Sequence, residues 1–243
     1  EGNHISCYDA DGLRHNCYPL KNKKKYISPY ILWDQSMESK FEDIQIDYEE
    51  IVRGDEGIKK WLEQLHYKGI SIVKNAPTEK ESGFDILANI SHHRETFFKT
   101  PFEVIDIPNP NNSAYTAAAL RNHLDLPYYE IAPGYQFLHC LINNATGGES
   151  VAVDGFRVAS YMRKNFPDYF KTLLETPVKF VNQDYTSNAI RVMHKPIFSL
   201  DHHNDFNDIR FSVAYMGVMD CDPDQMDKFY EAYRKLISLL HDP

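Results

Sequence analysis

Eight consecutive residues, Tyr135-Gln136-Phe137-Leu138-His139-Cys140-Leu141-Ile142, run without a glycine, a proline or a formal charge. Aromatic and aliphatic residues at that density, in so short a run, read as a β-strand. Side chains two apart on a strand share a face. One face is then Tyr135, Phe137, His139 and Leu141, and the other is Gln136, Leu138, Cys140 and Ile142. Gly147-Gly148 makes a tight turn into a further strand that ends near Asp154. A strand this apolar needs sheet neighbours. Candidates are Gly69 to Asn75, Val178 to Tyr185, Ile197 to Leu200 and Ile209 to Tyr215.

Helical periodicity lies on either side of these strands. Ile51, Ile58, Trp61, Leu62 and Leu65 share one helical face, and Gly69 is placed to end that helix. Further helices are expected over Glu79 to Phe97 and Gly155 to Asn165. At the end of the chain Met226, Phe229, Tyr230, Tyr233, Leu236, Ile237 and Leu240 recur at three and four residues, the signature of an amphipathic helix. Strands in the middle, with helices before and after, predict an α+β fold, more sharply an antiparallel jelly roll flanked by helices. Residues 1–48 read as an irregular polar segment and 49–243 as the folded domain, with no internal repeat.

Composition narrows the function. The 26 basic residues against 35 acidic give a net charge of −9. That surface repels phosphate backbones and argues against a nucleic-acid partner. The basic run from Lys21 to Lys25 reads as a solvated loop. No stretch approaches the ~18 apolar residues of a spanning helix, so no membrane association is expected. Cys7, Cys17, Cys140 and Cys221 are scattered, as suits free thiols. A zinc site from His4, Cys7, His15 and Cys17 would match no standard spacing.

The chemistry concentrates at Leu120-Arg121-Asn122-His123-Leu124-Asp125-Leu126-Pro127. On an extended strand His123 and Asp125 would project an imidazole and a carboxylate to one side. Non-haem iron oxygenases hold Fe(II) by two histidines and one carboxylate on one face of the metal, leaving the other positions open. Alone, the H-x-D pattern is weak, because chance produces it often.

Its surroundings form an ordered set. Asn112-Ser113-Ala114-Tyr115-Thr116 precedes the H-x-D. Pro133-Gly134-Tyr135-Gln136-Phe137-Leu138-His139-Cys140, Gly147-Gly148-Glu149-Ser150 and Val153-Asp154-Gly155-Phe156 follow it. With Ile31-Leu32-Trp33, Arg94-Glu95-Thr96 and the final helix, this set resembles the carnitine-biosynthesis hydroxylases. These are the γ-butyrobetaine and trimethyllysine dioxygenases, related to taurine dioxygenase. The resemblance runs from about Tyr26 to the end. It implies an Fe(II)- and 2-oxoglutarate-dependent hydroxylase on a jelly roll, with ascorbate as a further cofactor candidate and a homodimer as a candidate assembly. It also implies a cytoplasmic location, with mitochondrial as the alternative. The iron ligands fall on His123 and Asp125, and the co-substrate neighbours on Leu138 and Ser150. Leu138 also reads as ordinary core and Ser150 as an ordinary turn residue.

The substrates of that family carry a trimethylammonium group, which offers no hydrogen bond and is recognised by aromatic faces. The resemblance places the aromatic cage at Phe98, Phe102 and Tyr115, where relatives usually have Tyr, Trp and Tyr. Phe98 and Phe102 read equally well as core. Asn112 stands where γ-butyrobetaine hydroxylases carry an Asn and trimethyllysine hydroxylases an Asp. A neutral amide can donate to a carboxylate that an Asp would repel. The expected substrate is therefore γ-butyrobetaine, with trimethyllysine as the alternative.

Three features depart from the family. Its distal metal histidine and its 2-oxoglutarate arginine lie in strands beyond Pro243, so the jelly roll is expected to lack its C-terminal strands. His139, His194, His202 and His203 offer imidazoles, but nothing besides residue type favours any of them as a ligand. Arg210-Phe211-Ser212-Val213-Ala214-Tyr215-Met216 lacks the Asn-Asn pair with which relatives hold the polar end of the substrate. A non-catalytic short form acting as a binding protein is the second reading.

Overall fold

The computed structural model describes residues 5–16, 30–98, 102–106, 108, 110, 115–116, 118–184 and 188–241. The chain divides into two compact units, residues 1–30 and 31–243. The first contains helix α1, Ala10–Asn16. Asp9 caps it, taking the backbone N–H of Gly12 on Oδ2 at 2.8 Å.

The second unit opens with a 3-10 segment, Gln35–Ile44, whose N-cap Asp34 accepts from the Ser36 N–H. Then come β1 (Gln45–Asp47), α2 (Tyr48–Val52), α3 (Asp55–Lys68) and β2 (Ile72–Lys74). β1 and β2 pair in parallel, Gln45 opposite Ile72. Parallel pairing needs a crossover, and α2 with α3 supplies it. Trp61 and Leu65, one helical turn apart, share the buried face of α3. Gly69 ends the helix at φ 72°, a left-handed conformation that glycine adopts without a Cβ clash. Ile46, Tyr48, Ile51, Trp61, Leu65 and Ile86 form one core, the last from α4 (Phe84–Ala88). Gln64 is buried there with its polar atoms satisfied. Its Nε2 donates to the Asp43 and Gln45 carbonyls, and its Oε1 accepts from Ser71.

A larger core lies further along the chain. It is built by α5 (Gly155–Asn165), α6 (Pro167–Glu175), the antiparallel pair β3 (Val178–Asp184) and β4 (Ala189–Lys195), the antiparallel pair β5 (Phe198–Leu200) and β6 (Phe206–Ile209), and α7 (Pro223–His241). Phe229, Ala232, Tyr233, Leu236 and Leu240 are the buried face of α7. They meet Met162, Leu173, Phe180 and Phe198 in one apolar cluster. The chain after β6 returns to β3. The Val181 N–H donates to the Tyr215 carbonyl at 2.8 Å and the Gly217 N–H to the Lys179 carbonyl at 2.7 Å. Asp154 caps α5, accepting from the Arg157 N–H at 3.0 Å. The same carboxylate takes the Trp33 N–H at 2.9 Å, and the Trp33 indole donates to the Lys68 carbonyl.

The α+β class, α3 with its glycine stop, α5, β3 and α7 all stand as expected. Four elements differ. Residues 35–47, read as irregular, form the 3-10 segment and β1, because Ile44 is buried and Ile46 joins the Trp61 core. The helix expected over Glu79 to Phe97 is only α4. The strand expected over Ile209 to Tyr215 lies earlier, at β6, because β5 pairs with 206–209. The run 135–142 and the stretch after Gly148 form no strand. Among the described residues the sheets are three separate strand pairs, and none includes them. The apolar alternation is present, but a strand also needs a neighbouring backbone.

Candidate metal centre

His123 and Asp125 lie outside any strand, on chain that bends at Asn122 and Asp125, and one backbone hydrogen bond ties it to the larger core. The Leu124 N–H between them donates to the Phe211 carbonyl at 2.7 Å. The next residue, Leu126, takes φ 54°, a left-handed conformation costly for a branched side chain, and is buried. Arg210 then clamps the loop over residues 127–130. Its guanidinium, 4% exposed, donates to the carbonyls of Pro127 (3.0 Å), Tyr129 and Glu130 (2.6 Å). Its Nε meets Asp208 at 2.9 Å. A planar fork with five donors suits this cluster of acceptors, and the guanidinium itself is buried. Tyr128 is buried in the same stretch, edge-on to Tyr215 at 4.9 Å.

Within this frame the two side chains face each other, with His123 Nε2 3.2 Å from Asp125 Oδ1. His123 Nδ1 lies 2.7 Å from the Arg121 carbonyl. A carbonyl can only accept, so the Nδ1–H points at it and Nε2 is turned toward Asp125. The Asp125 hydrogen bond raises the imidazole above its ordinary pKa, against partial burial. His123 in turn holds the Asp125 carboxyl below the usual carboxylate range, and Gln136 lowers it further. The Gln136 amide donates to Asp125 Oδ2 at 2.5 Å.

These two donors fit a metal edge. Ligand atoms about 2.1 Å from one octahedral ion and at right angles are about 3.0 Å apart. The observed 3.2 Å is close to that spacing and is equally a hydrogen-bond distance. Among the described residues no group of three His, Cys, Asp or Glu side chains could hold a metal ion. His139 is engaged elsewhere, its Nε2 2.7 Å from the Pro77 carbonyl. His202 and His203 lie tilted against each other, ring centroids 3.8 Å apart, in the β5–β6 turn, and His194 lies in β4 opposite Lys179.

The other sequence-derived residues are dispersed. Phe98 and Phe102 come together, ring centroids 5.3 Å apart and nearly parallel. Phe97 lies tilted against Phe98, ring centroids 4.0 Å apart, and the Arg191 guanidinium sits 3.9 Å over Phe97. This aromatic strip is laced to the H-x-D loop, because the Tyr129 hydroxyl accepts from the Phe97 N–H and Arg94 donates to the Ile131 carbonyl. Tyr115 is half-buried. Leu138 is 72% exposed, which overturns its reading as core, and Ser150 is exposed. Asn112 lies outside the described residues, as do His4 and Cys17. Cys7, Cys140 and Cys221 are free thiols. Sequence reasoning missed Gln136 and Arg210. Each had a signal: a lone amide on one face of an apolar run, and a lone charge between Ile209 and Phe211.

The chain belongs to the family described as taurine catabolism dioxygenase TauD, TfdA family, whose profile matches residues 33–243. Among individual proteins it is 32% identical to the γ-butyrobetaine dioxygenase of Pseudomonas sp. (strain AK-1), over 99% of this chain and 62% of that protein. It is 30% identical to the mitochondrial trimethyllysine dioxygenase of Mus musculus, over 99% of this chain and 58% of that one. With the γ-butyrobetaine dioxygenase of Homo sapiens it shares 30% identity, over 98% of this chain and 62% of the human protein. The chain thus spans about three-fifths of the length of these relatives. No helix among the described residues is long and apolar enough to cross a membrane.

Proposed function

We propose that this chain is an Fe(II)- and 2-oxoglutarate-dependent dioxygenase that hydroxylates a small trimethylammonium substrate, γ-butyrobetaine rather than trimethyllysine. The observation that carries this reading is the His123–Asp125 pair at 3.2 Å, with Nε2 turned to its partner by the Arg121 carbonyl. His123 and Asp125 would hold the iron. Bound iron, with 2-oxoglutarate as co-substrate, would supply the oxidising power for an unactivated C–H bond. Leu138 and Ser150 are proposed beside the co-substrate, on a jelly roll of the family type. Phe98, Phe102 and Tyr115 would offer π faces to the quaternary ammonium, which attracts such faces without a hydrogen bond. Asn112 chooses the substrate: its amide donates to the carboxylate of γ-butyrobetaine, where an Asp would favour an α-ammonium.

The test is succinate formation from 2-oxoglutarate with Fe(II) and either substrate, with His123→Ala as control. Turnover with γ-butyrobetaine that the control loses supports the reading. Turnover with trimethyllysine alone moves the substrate to its sister. One observation favours the non-catalytic alternative: Phe98 and Phe102 cover each other, and Arg191 already places a cation on Phe97. A folded chain that neither binds Fe(II) nor consumes 2-oxoglutarate would favour that alternative.

A further inference from the structure

Residues 135–139 form a strap with two working faces. One face is fastened to the Trp61 core at three points. The Tyr135 hydroxyl donates to the Leu65 carbonyl at 3.2 Å. The Phe137 ring meets Trp61 edge-on, centroids 6.0 Å apart. His139 Nε2 lies 2.7 Å from the Pro77 carbonyl, and its ring lies against Gly83, where a Cβ would come within 3.0 Å of Nδ1. The opposite face presents Gln136 to Asp125 Oδ2. The strap belongs to no sheet, so side chains rather than a ladder set its register. A slip of one residue would exchange the faces and take Gln136 away from Asp125.

A carboxylate has two equivalent oxygens and rotates readily. Here Oδ1 faces His123 Nε2 and Oδ2 receives the amide. A donor on one oxygen fixes the rotation of the group and leaves the other oxygen aimed at the imidazole. Groups that orient metal ligands this way typically alter metal affinity 10–100-fold when removed.

Building on the reading of His123 and Asp125 as metal ligands, we propose that Gln136 is a positioning residue for the metal. It holds the Asp125 carboxylate so that one oxygen faces the ion, and the Trp61 core is the anchor that holds Gln136. The strap transmits the rigidity of one core to a site built on the other.

Two measurements test this. The first is the Fe(II) dissociation constant by anaerobic equilibrium dialysis, with the thermal midpoint of each variant. Gln136→Leu should weaken Fe(II) binding about 10–100-fold with its midpoint unmoved, because Gln136 is exposed and carries no core contact. Tyr135→Phe, which unfastens the other face, should weaken it less. The double variant should fall short of the product of the two effects, since both act through one contact. Ile142→Ala, in the same stretch and 78% exposed, should change nothing. Affinity unchanged in Gln136→Leu, or strictly multiplicative effects, overturns the proposal. The second measurement needs no metal. The Gln136 side-chain amide should give a displaced NMR resonance that returns to the position of a free glutamine in Asp125→Ala. A resonance indifferent to that substitution also overturns the proposal. If the parent chain binds no Fe(II) at all, the reading of the metal site fails, and with it any positioning role. A surviving amide signal would then leave Gln136 as a structural contact only.

Discussion

Two stretches of this chain carry similar apolar patterning and meet different fates. Between Ile44 and Leu65, the residues Ile44, Ile46, Ile51 and Trp61 are at most 3% exposed. Between Ile131 and Val151, the residues Ile131, Leu138, Ile142 and Val151 are each more than 70% exposed. The first stretch has its backbone paired, through helical bonds and through the parallel pairing of β1 with β2 just beyond it. The second has no ladder among the described residues and hangs from side chains: Tyr135, Phe137 and His139 on one core, and the adjoining Arg210 clamp on the other. Alternation therefore decides where side chains point, and a neighbouring backbone decides whether the segment becomes a strand.

The contrast predicts a graded set of outcomes. Trp61→Ala removes the largest side chain of the first core and should cost about 3–5 kcal/mol in urea unfolding. A much smaller loss would mean that this core is loosely packed. Arg210→Leu should cost about 2–3 kcal/mol, because it removes four hydrogen bonds of a buried guanidinium and leaves the buried Pro127 carbonyl unpaired. It should also loosen the 127–130 loop selectively, visible as faster amide exchange there than in α7. Equal exchange in both would reduce the clamp to general stability.

Asp154→Ala removes a helix cap and should cost about 1–2 kcal/mol. Its carboxyl is raised above the ordinary value by burial, which outweighs the N–H groups of Trp33 and Arg157 that lower it. Between the unfolded carboxylate pKa and that raised value, the folded state binds more protons than the unfolded one. The contribution of Asp154 to stability thus declines as pH rises through this window and is flat above it. Asp154→Asn keeps a good cap and should lack the decline, so the variant should gain on the parent as pH rises from about 4. A constant difference across that range would show that the group is not perturbed. The smallest effect belongs to the exposed stretch: Ile142→Ala should stay within about 0.5 kcal/mol. A loss several times larger would mean that something covers this surface in solution.

Much of the architecture was legible in advance because its signals are local. A glycine at the end of an apolar face stops α3 at Gly69. Asp154 begins α5, and three-four spacing marks α7 through Leu240. The H-x-D pair was legible as residue types, and the family resemblance gave it a role. Its surroundings were not. The strand expected at 135–142 rests on a pairing that no local pattern specifies, and β1 was hidden inside a polar segment. Gln136 and Arg210 act on residues 11 and more than 80 positions away, and nothing in their own neighbourhoods names those partners.

Spacing along the chain was enough for α3, α5 and α7, for the alternation of faces along 135–142 and for the candidate metal-binding residues, and composition was enough for the net charge of −9. Tertiary structure alone decided that His123 and Asp125 face one another at 3.2 Å. It also decided that a buried guanidinium fastens the loop after them, and that an amide on a strap of the other core holds the carboxylate. Those are distances between parts remote in sequence, and only the packing of the two cores sets them.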